Sequence, residues 1–188
     1  MYKRQDTGIV DPKETKHRCS GGTRFGNRYF KCWKRSGHGI VDYLRSLGQS
    51  CDVFFYQVGI KLGIDRLASY ARKFGYGKLT GIEIPFEKAG LVPTSAWKKR
   101  RYNQEWIESE TLSVSIGQSY NLVTPLQNAV MVSMVANGGY KVIPHLGKEI
   151  IDAHGKTVRH VSFDKVKTDL VGNPALKYVQ DGMVEVCL

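Results

Sequence analysis

The chain has 188 residues, enough for one domain with a hydrophobic core, and its 28 lysines and arginines against 17 acidic residues give a net charge of +11. Such a surplus suits nucleic acid, anionic lipid or an acidic ligand. The basic residues are scattered, however, and only residues 98–101 form a tight cluster, which argues against a nucleic-acid groove. No apolar run reaches the roughly 18 residues of a membrane-spanning helix, and the start MYKRQDTGIV does not resemble a signal peptide. We therefore expect no targeting signal and no membrane anchor in the chain as written.

The first part of the chain is polar and irregular. Residues 1–18 are mostly charged, and residues 19–39 are rich in glycine and aromatic side chains, which predicts loops or a short hairpin without a core of its own. The stretch SLGQSCDVFFYQVGI, residues 46–60, then places the triplet Ser50-Cys51-Asp52 between two segments with apolar residues at helical spacing. A polar triplet there is costly unless its groups are hydrogen-bonded or face a cleft. Taken alone, it also fits an ordinary loop serine and an aspartate at a helix N-terminus.

Three further helices are predicted. Residues 64–74 follow helical spacing, and Gly75 and Gly77 end the helix. Thr124-Pro125-Leu126-Gln127 combines an N-cap, a proline at the first helical position and a glutamine that completes a capping box, so a helix begins there and ends at Gly138. A final helix is expected from Asn173-Pro174 to about Val186. The helix after Thr124 is expected to present one face formed by Leu126, Ala129, Val130, Ser133, Met134 and Asn137.

Strands are predicted in the last third of the chain. Residues 140–143, 148–152 and 157–161 are rich in strand-forming residues, and residues 153–156 form a turn between the last two strands. Residues 80–110 show little periodicity, and we expect them to be mostly loop.

Long runs of the sequence resemble one enzyme family. Residues 30–85, 91–106, 112–130 and 136–146 resemble the transpeptidase domain of class B penicillin-binding proteins, most closely the elongation type, penicillin-binding protein 2. The likeness covers residues 8–186. It implies an α/β (α+β) fold of the serine β-lactamase and penicillin-binding type, in which helices flank an antiparallel sheet. Residues 1–188 are then expected to be a partial transpeptidase domain that supplies mainly the helical half.

The family uses three motifs around one cleft: Ser-x-x-Lys, Ser-x-Asn or Ser-x-Asp, and Lys-Thr-Gly. The resemblance places Ser50-Cys51-Asp52 as the second motif. Ser50 is then the hydroxyl that shuttles protons, and Asp52 contacts the substrate or the catalytic lysine. The first motif is expected upstream of Gly8-Ile9-Val10 and the third after Gly182-Met183, both outside these residues. We therefore expect an internal fragment that is inactive by itself.

Other matches to these motifs are weak. Ser95-Ala96-Trp97-Lys98 and Ser162-Phe163-Asp164-Lys165 have the first spacing, but both follow the second motif and neither begins a convincing helix. Lys167-Thr168-Asp169 replaces the glycine of the third motif with an acidic residue, which would oppose an anionic substrate. Gly155-Lys156-Thr157 resembles the end of a P-loop, but Ile150 stands where its first glycine belongs.

The resemblance also implies an activity and a location. The activity is D,D-transpeptidation, in which a serine attacks the D-Ala-D-Ala amide of a peptidoglycan stem peptide and the acyl group passes to an amine. β-Lactams would acylate the same serine, and membrane proteins of the elongation complex are expected partners at the periplasmic face of the bacterial inner membrane. Two other possibilities stay open: a non-catalytic truncated gene product, and a small zinc-stabilised binding module with a positive surface. Acylation by penicillin would distinguish a D,D-transpeptidase from these two possibilities.

Four residues form a second candidate site. Cys19, Cys32, His38 and Cys51 offer three thiolates and an imidazole, which suit tetrahedral zinc, although their spacing fits no zinc finger or knuckle. The resemblance implies zinc at this place, since some elongation-type members of the family bind it there. A disulfide such as Cys19–Cys32 remains possible in an oxidising periplasm, as do free buried thiols. If zinc binds, Cys51 should point away from the cleft that Ser50 and Asp52 face. Cys187 lies outside this set.

Overall fold

The computed structural model describes residues 11–162 and 165–187. Eight short strands are formed there: β1 (His17–Cys19), β2 (Gly22–Phe25), β3 (Arg28–Lys31), β4 (Gly39–Val41), β5 (Lys141–Val142), β6 (Glu149–Ile151), β7 (Thr157–His160) and β8 (Lys165–Val166). The α-helices in the described residues are α1 (Tyr43–Gly48), α2 (Asp52–Leu62), α3 (Ile64–Lys73), α4 (Ser95–Tyr102), α5 (Glu108–Ser115), α6 (Pro125–Ala136) and α7 (Ala175–Val184), and a 3₁₀ turn, Glu185–Cys187, follows α7.

The strands pair only in twos, always antiparallel: β1 with β4, β2 with β3, β5 with β8, and β6 with β7. A two-stranded pair is marginally stable and needs other elements to pack against. No larger sheet forms within residues 11–162 and 165–187. The described residues therefore contribute mainly the helical part of the α/β fold, as the sequence predicts.

Two apolar clusters make up the core. The first surrounds α2, whose Val53, Phe54, Phe55 and Val58 are buried, and it reaches Leu112 on α5. The second joins α6 and α7 to the end of α3, and includes Phe74, Val130, Met134, Leu176 and Val179. Because α2 is apolar on nearly all sides, it is enclosed by its neighbours rather than lying on the surface.

The predicted helices are found, with one change of face. Thr124 caps α6 in a capping box with Gln127, as the sequence predicts. The buried face of α6 consists of Gln127, Val130, Met134 and Val135. The face predicted through Ala129 is wrong, since Ala129 is exposed. A polar residue, Gln127, takes the central position because its amide donates to the carbonyls of Lys78 and Ala89.

The prediction of a loop over residues 80–110 is wrong in its second half, where α4 and the start of α5 lie. Thr94 caps α4 by accepting a hydrogen bond from the Trp97 N–H at 2.9 Å, and Asn103 ends the helix in the left-handed conformation. The buried residue of α4 is Lys98. Because a lysine occupies the core position, apolar periodicity gave no sign of this helix.

The predicted strands are found with shorter bounds, and β8, which the sequence did not indicate, pairs with β5. Among the described residues, none of the helices has the length and apolar character needed to cross a membrane.

Candidate active site and metal centre

The triplet Ser50-Cys51-Asp52 forms the turn between α1 and α2. Gln49 ends α1, and the Cys51 N–H donates to the Ser46 carbonyl at 2.8 Å, which folds the chain back. Ser50 has φ 51°, in the left-handed region. Adopting this conformation costs a residue with a Cβ about 1–2 kcal/mol. Asp52 is the first residue of α2, where a carboxylate interacts favourably with the helix dipole.

Trp33 contacts both sides of this turn. Its backbone N–H donates to Oδ2 of Asp52 at 2.9 Å, and its indole Nε1–H donates to the carbonyl of Gln49 at 3.0 Å. The indole also packs edge-on against the ring of His38, with 5.4 Å between centroids. The strained turn is therefore held from outside by the residue that follows Cys32.

A largely apolar cleft of about 540 Å³ begins at the triplet. Ser50 and Asp52 both line it, while Cys51 is fully buried on the other side, as its middle position in the triplet predicts. The far walls come from α3, α6 and α7, and the polar side chains of Ser115 and Asn121 lie along the cleft. Concave apolar sites with a few polar groups are typical of ligand-binding sites.

The four predicted metal ligands come together behind the turn. One ligand atom from each of Cys19, Cys32, His38 and Cys51 lies within 4.8 Å of all the others, and all four residues are buried. Nδ1 of His38 is 3.6 Å from Sγ of Cys19 and 3.6 Å from Sγ of Cys32. The cysteines are free thiols, so Cys19 and Cys32 do not form the disulfide that the sequence left open. Cys187 is exposed and apart from the cluster.

Strand pairing and two glycines bring these ligands together. In the β1–β4 pair, Cys19 lies opposite Gly39, which places His38 beside Cys19. Gly37 has φ 78°, and a Cβ there would lie 2.3 Å from the Cys19 carbonyl oxygen. Gly21 has φ 92°, and a Cβ there would lie 2.1 Å from the carbonyl oxygen of Arg35. Only glycine allows these close approaches of the backbone.

Backbone N–H groups point at the sulfurs. The donors are Gly21 and His38 toward Cys19, Lys34 and Asp52 toward Cys32, and Phe54 toward Cys51. Such bonds stabilise a thiolate over a thiol. A zinc ion bonded at about 2.0–2.3 Å needs ligand atoms about 3.5–3.8 Å apart. The two His38 distances already fit, whereas the widest separation, 4.8 Å, exceeds this range and must shorten. The donor set and its burial fit a closed structural zinc site.

The ionisation of the ligands follows from burial and from these N–H groups. Burial raises the pKa of Cys51 to about 12, and the Cys19 sulfur beside it adds to the rise. At Cys19, burial acts in the same direction, but the N–H groups of Gly21 and His38 and the neighbouring thiols outweigh it, so the pKa is lowered. Burial and the charge of Lys34 lower the pKa of His38, which favours the neutral imidazole that binds metals.

The competing motifs lie elsewhere. Ser95 does begin a helix, contrary to the sequence prediction, but its hydroxyl donates to Oδ2 of Asp65 at 2.6 Å. Nζ of Lys98 is held by both carboxylate oxygens of Glu110, at 2.7 and 2.8 Å, so it is not available to take a proton from Ser95. The match that begins at Ser162 includes residues 163 and 164, which lie outside the described residues.

The other two matches have structural roles. In Lys167-Thr168-Asp169, Asp169 forms an ion pair with Lys73, and the Thr168 hydroxyl donates to the Gly139 carbonyl at 2.5 Å. Residues 155–157 belong to the exposed β6–β7 hairpin and do not adjoin the cleft.

The sequence reasoning missed three residues near the site: Trp33, Ser115 and Asn121. The signal for Trp33 was its place directly after a candidate ligand, Cys32. Ser115 and Asn121 lie in the run of residues 112–130 that carries the family resemblance, but neither belongs to one of the three motifs.

Comparisons with known proteins agree with this geometry. Residues 5–187 match the penicillin binding protein transpeptidase domain. The peptidoglycan D,D-transpeptidase MrdA of Salmonella typhimurium is 40% identical over 152 residues, which are 80% of this chain and 24% of that protein. The structure of the penicillin-binding protein PBP2 of Helicobacter pylori has a TM-score of 0.85 at 28% identity, covering 99% of this chain and 33% of the other. A complex of PBP2 with MreC from Helicobacter pylori gives 0.83 at 28% identity, covering 99% and 32%.

This chain thus spans about a quarter of the length of the MrdA protein that it matches. The family match extends over nearly all of the 188 residues. The chain belongs to the penicillin-binding protein transpeptidase domain family.

Proposed function

We propose that these residues form the part of a peptidoglycan D,D-transpeptidase that carries the second active-site motif. The observation that carries this proposal is the placement of Ser50 and Asp52 on the cleft, with Cys51 turned to the other side. The substrate class would be a stem peptide ending in D-Ala-D-Ala. β-Lactams would react with the nucleophilic serine of the first motif, Ser-x-x-Lys, and not with Ser50. The family membership and the MrdA relative support the reaction class.

The two polar side chains would have different roles. Ser50 is exposed at the cleft and can pass a proton between the nucleophile and the leaving group. Asp52 already accepts a hydrogen bond from the Trp33 N–H through Oδ2, so Oδ1 is the oxygen that remains for a substrate group or a catalytic lysine. A carboxylate fixed in this way loses little entropy when it binds.

The test uses a complete transpeptidase domain of the family. The segment of that domain that matches this chain is replaced by the residues of this chain. We expect Ser50→Ala to slow acylation by a fluorescent penicillin at least tenfold, since a positioned proton-transfer group contributes about 10²–10⁴ in rate. Ser36→Ala is the control, because Ser36 is exposed and does not line the cleft. Equal acylation by the two variants would refute the proposed role of the triplet.

We also propose that zinc binds to Cys19, Cys32, His38 and Cys51. The convergence of three thiols and one imidazole, all buried, supports this set. Bound there, the ion would have no open position for substrate and would supply structural stabilisation. Its ligands would join β1, the end of β3, the residue before β4 and the triplet turn, so the back of Ser50-Cys51-Asp52 would be fixed.

Metal analysis tests this proposal. We expect one zinc per chain and a melting temperature that falls when a chelator removes it, because metal binding and folding are coupled. Cys51→Ser should weaken zinc binding at least tenfold. Cys187→Ser, the same change at an exposed cysteine outside the cluster, should leave zinc binding unchanged. A chain purified without metal whose stability does not respond to added zinc, or one with a Cys19–Cys32 disulfide, would contradict the proposal.

A cellular setting follows from the same proposal. We propose elongation-complex membrane proteins as partners, at the periplasmic face of the inner membrane. The solved complex of PBP2 with MreC from Helicobacter pylori supports a protein partner of this kind. Fractionation of cells carrying an epitope-tagged protein, followed by capture of that protein, tests both points. Recovery of the protein from the cytosol without elongation-complex proteins would argue against this setting.

A further inference from the structure

We propose that Trp33 is a positioning residue for the Ser50 hydroxyl, acting through the indole hydrogen bond to the Gln49 carbonyl. This inference rests on the proposed function, since it concerns the chemistry of the Ser-x-Asp turn. It assigns a role to a residue outside the triplet and outside the four proposed metal ligands.

The first step concerns the peptide that Trp33 holds. The carbonyl of Gln49 belongs to the peptide unit whose nitrogen is that of Ser50, and it lies at the end of α1, where carbonyls lack helical partners. The Nε1–H of Trp33 donates to this oxygen at 3.0 Å. Fixing this peptide plane sets the direction of the Ser50 N–Cα bond. Because the Cys51 N–H is also held, by the Ser46 carbonyl at 2.8 Å, both peptides that flank Ser50 are restrained, and this restricts the direction of the Ser50 side chain.

The second step concerns strain. Ser50 has φ 51°, outside the regions that a serine prefers, so the turn tends to relax unless its neighbours restrain it. The restraint on the Cys51 side comes from its burial, and Asp52 is held by the Trp33 N–H. The indole supplies the matching restraint just before Ser50. One residue therefore holds the chain on both sides of the catalytic hydroxyl.

The third step concerns the exposure of the indole. Trp33 is 63% exposed, which is a large fraction for an aromatic side chain, so the ring makes little contact with the core. The part that is covered packs against His38 and donates to Gln49. Hydrophobic burial thus explains little of why the ring lies in this orientation, whereas its hydrogen bond and its contact with His38 explain more.

Removing the donor alone is the sharpest test. Trp33→Phe keeps the backbone N–H to Asp52 and an aromatic ring near His38, but deletes the Nε1–H. A second variant carries β-(3-benzothienyl)alanine at position 33, which replaces the N–H by sulfur and keeps the shape of the ring. Trp106→Phe is the matched control, because the Trp106 indole also makes one hydrogen bond, to Oγ1 of Thr111 at 2.9 Å, and lies away from the cleft.

Penicillin acylation is measured in the complete domain described above, separating the acylation rate constant from the concentration that gives half-maximal rate. We expect both Trp33 variants to lower the rate constant about tenfold, because small misplacements of catalytic groups are costly. The half-maximal concentration and the zinc content should stay within about twofold of the parent values. Trp106→Phe should match the parent in the rate constant.

The deciding measurement combines two changes. In a Ser50→Ala background, Trp33→Phe should add less than about a twofold loss, because a residue that acts through Ser50 has nothing left to position. A loss that persists in that background, or a Trp33→Phe rate equal to that of Trp106→Phe, overturns the inference and leaves the proposed function intact. If Ser50→Ala itself acylates normally, the proposed function fails, and this inference fails with it.

Discussion

Replacing Glu110 by glutamine is expected to lower the free energy of unfolding by about 3 kcal/mol, because it leaves the buried Lys98 ammonium without a counter-charge. The Lys98 side chain is 2% exposed and that of Glu110 17%. At the observed 2.7 Å, an effective dielectric constant of about 20 gives a gross attraction of about 6 kcal/mol. Desolvation offsets part of this when the pair forms, but the cost of burying Lys98 remains after the substitution.

The chain contains its own control for this substitution. Lys99, the next residue, pairs with Glu105, whose side chain is 80% exposed. Glu105→Gln should change stability by less than about 1 kcal/mol, since exposed ion pairs contribute little. The glutamine at position 110 can still accept the hydrogen bond from the Ile107 N–H that Glu110 accepts at 3.1 Å, so loss of the helix cap does not explain the difference.

Urea unfolding followed by circular dichroism measures both variants, and the midpoints are compared at equal slope. We expect Glu110→Gln to unfold at a clearly lower urea concentration than Glu105→Gln. Equal midpoints would show that burial of Lys98 does not govern the energy of this pair. They would also remove the reason for regarding Lys98 as a structural residue rather than a catalytic one.

Three further outcomes can be checked with simple assays. The 188-residue polypeptide should not acquire a covalent label from fluorescent penicillin at Ser95, since its hydroxyl is bonded to Asp65 and Lys98 is held by Glu110; a labelled band that Ser95→Ala abolishes would contradict this. Limited trypsin digestion should cut after the exposed Lys88 before it cuts after the buried Lys98, and the reverse order would contradict the placement of α4. Gln127→Leu should cost about 3 kcal/mol because it leaves the carbonyls of Lys78 and Ala89 without their donor. Thr124→Ala, which removes only the cap, should cost about 1 kcal/mol, and equal losses in urea unfolding would refute this ranking.

Much of the fold could be predicted where local chemistry decides it. The capping box at Thr124 and Gln127 and the glycines after α3 set helix ends through contacts within a few residues, and the predicted helices are found there. The helix α4 could not be predicted, because its buried residue is Lys98 and its partner is on α5. Apolar periodicity cannot report a core position that is filled by a charge pair.

The candidate sites show the same limit. The cluster of Cys19, Cys32, His38 and Cys51 could be predicted because the residue type alone shows that thiols and imidazole can bind a metal ion. The place of Trp33 next to Cys32 could have put it near the site, but its proposed role could not be predicted, because that role depends on where a backbone carbonyl 16 residues away comes to lie. The resemblance to a family supplied the proposed role of Ser50-Cys51-Asp52, whereas the residues alone favoured an ordinary loop serine and an aspartate at a helix N-terminus.

The separation of the core into two clusters has a consequence for how the molecule opens. The cleft runs along the boundary between them, with Leu47 and Phe55 on one side and Met131 and Val179 on the other. Tyr178 of α7 packs against the first cluster as well, whereas α2 and α6 each belong to one cluster and can open separately in amide hydrogen exchange. A compound that fills the cleft touches both clusters at once, so it would slow exchange in α2 and in α6 together and make the two helices open as one.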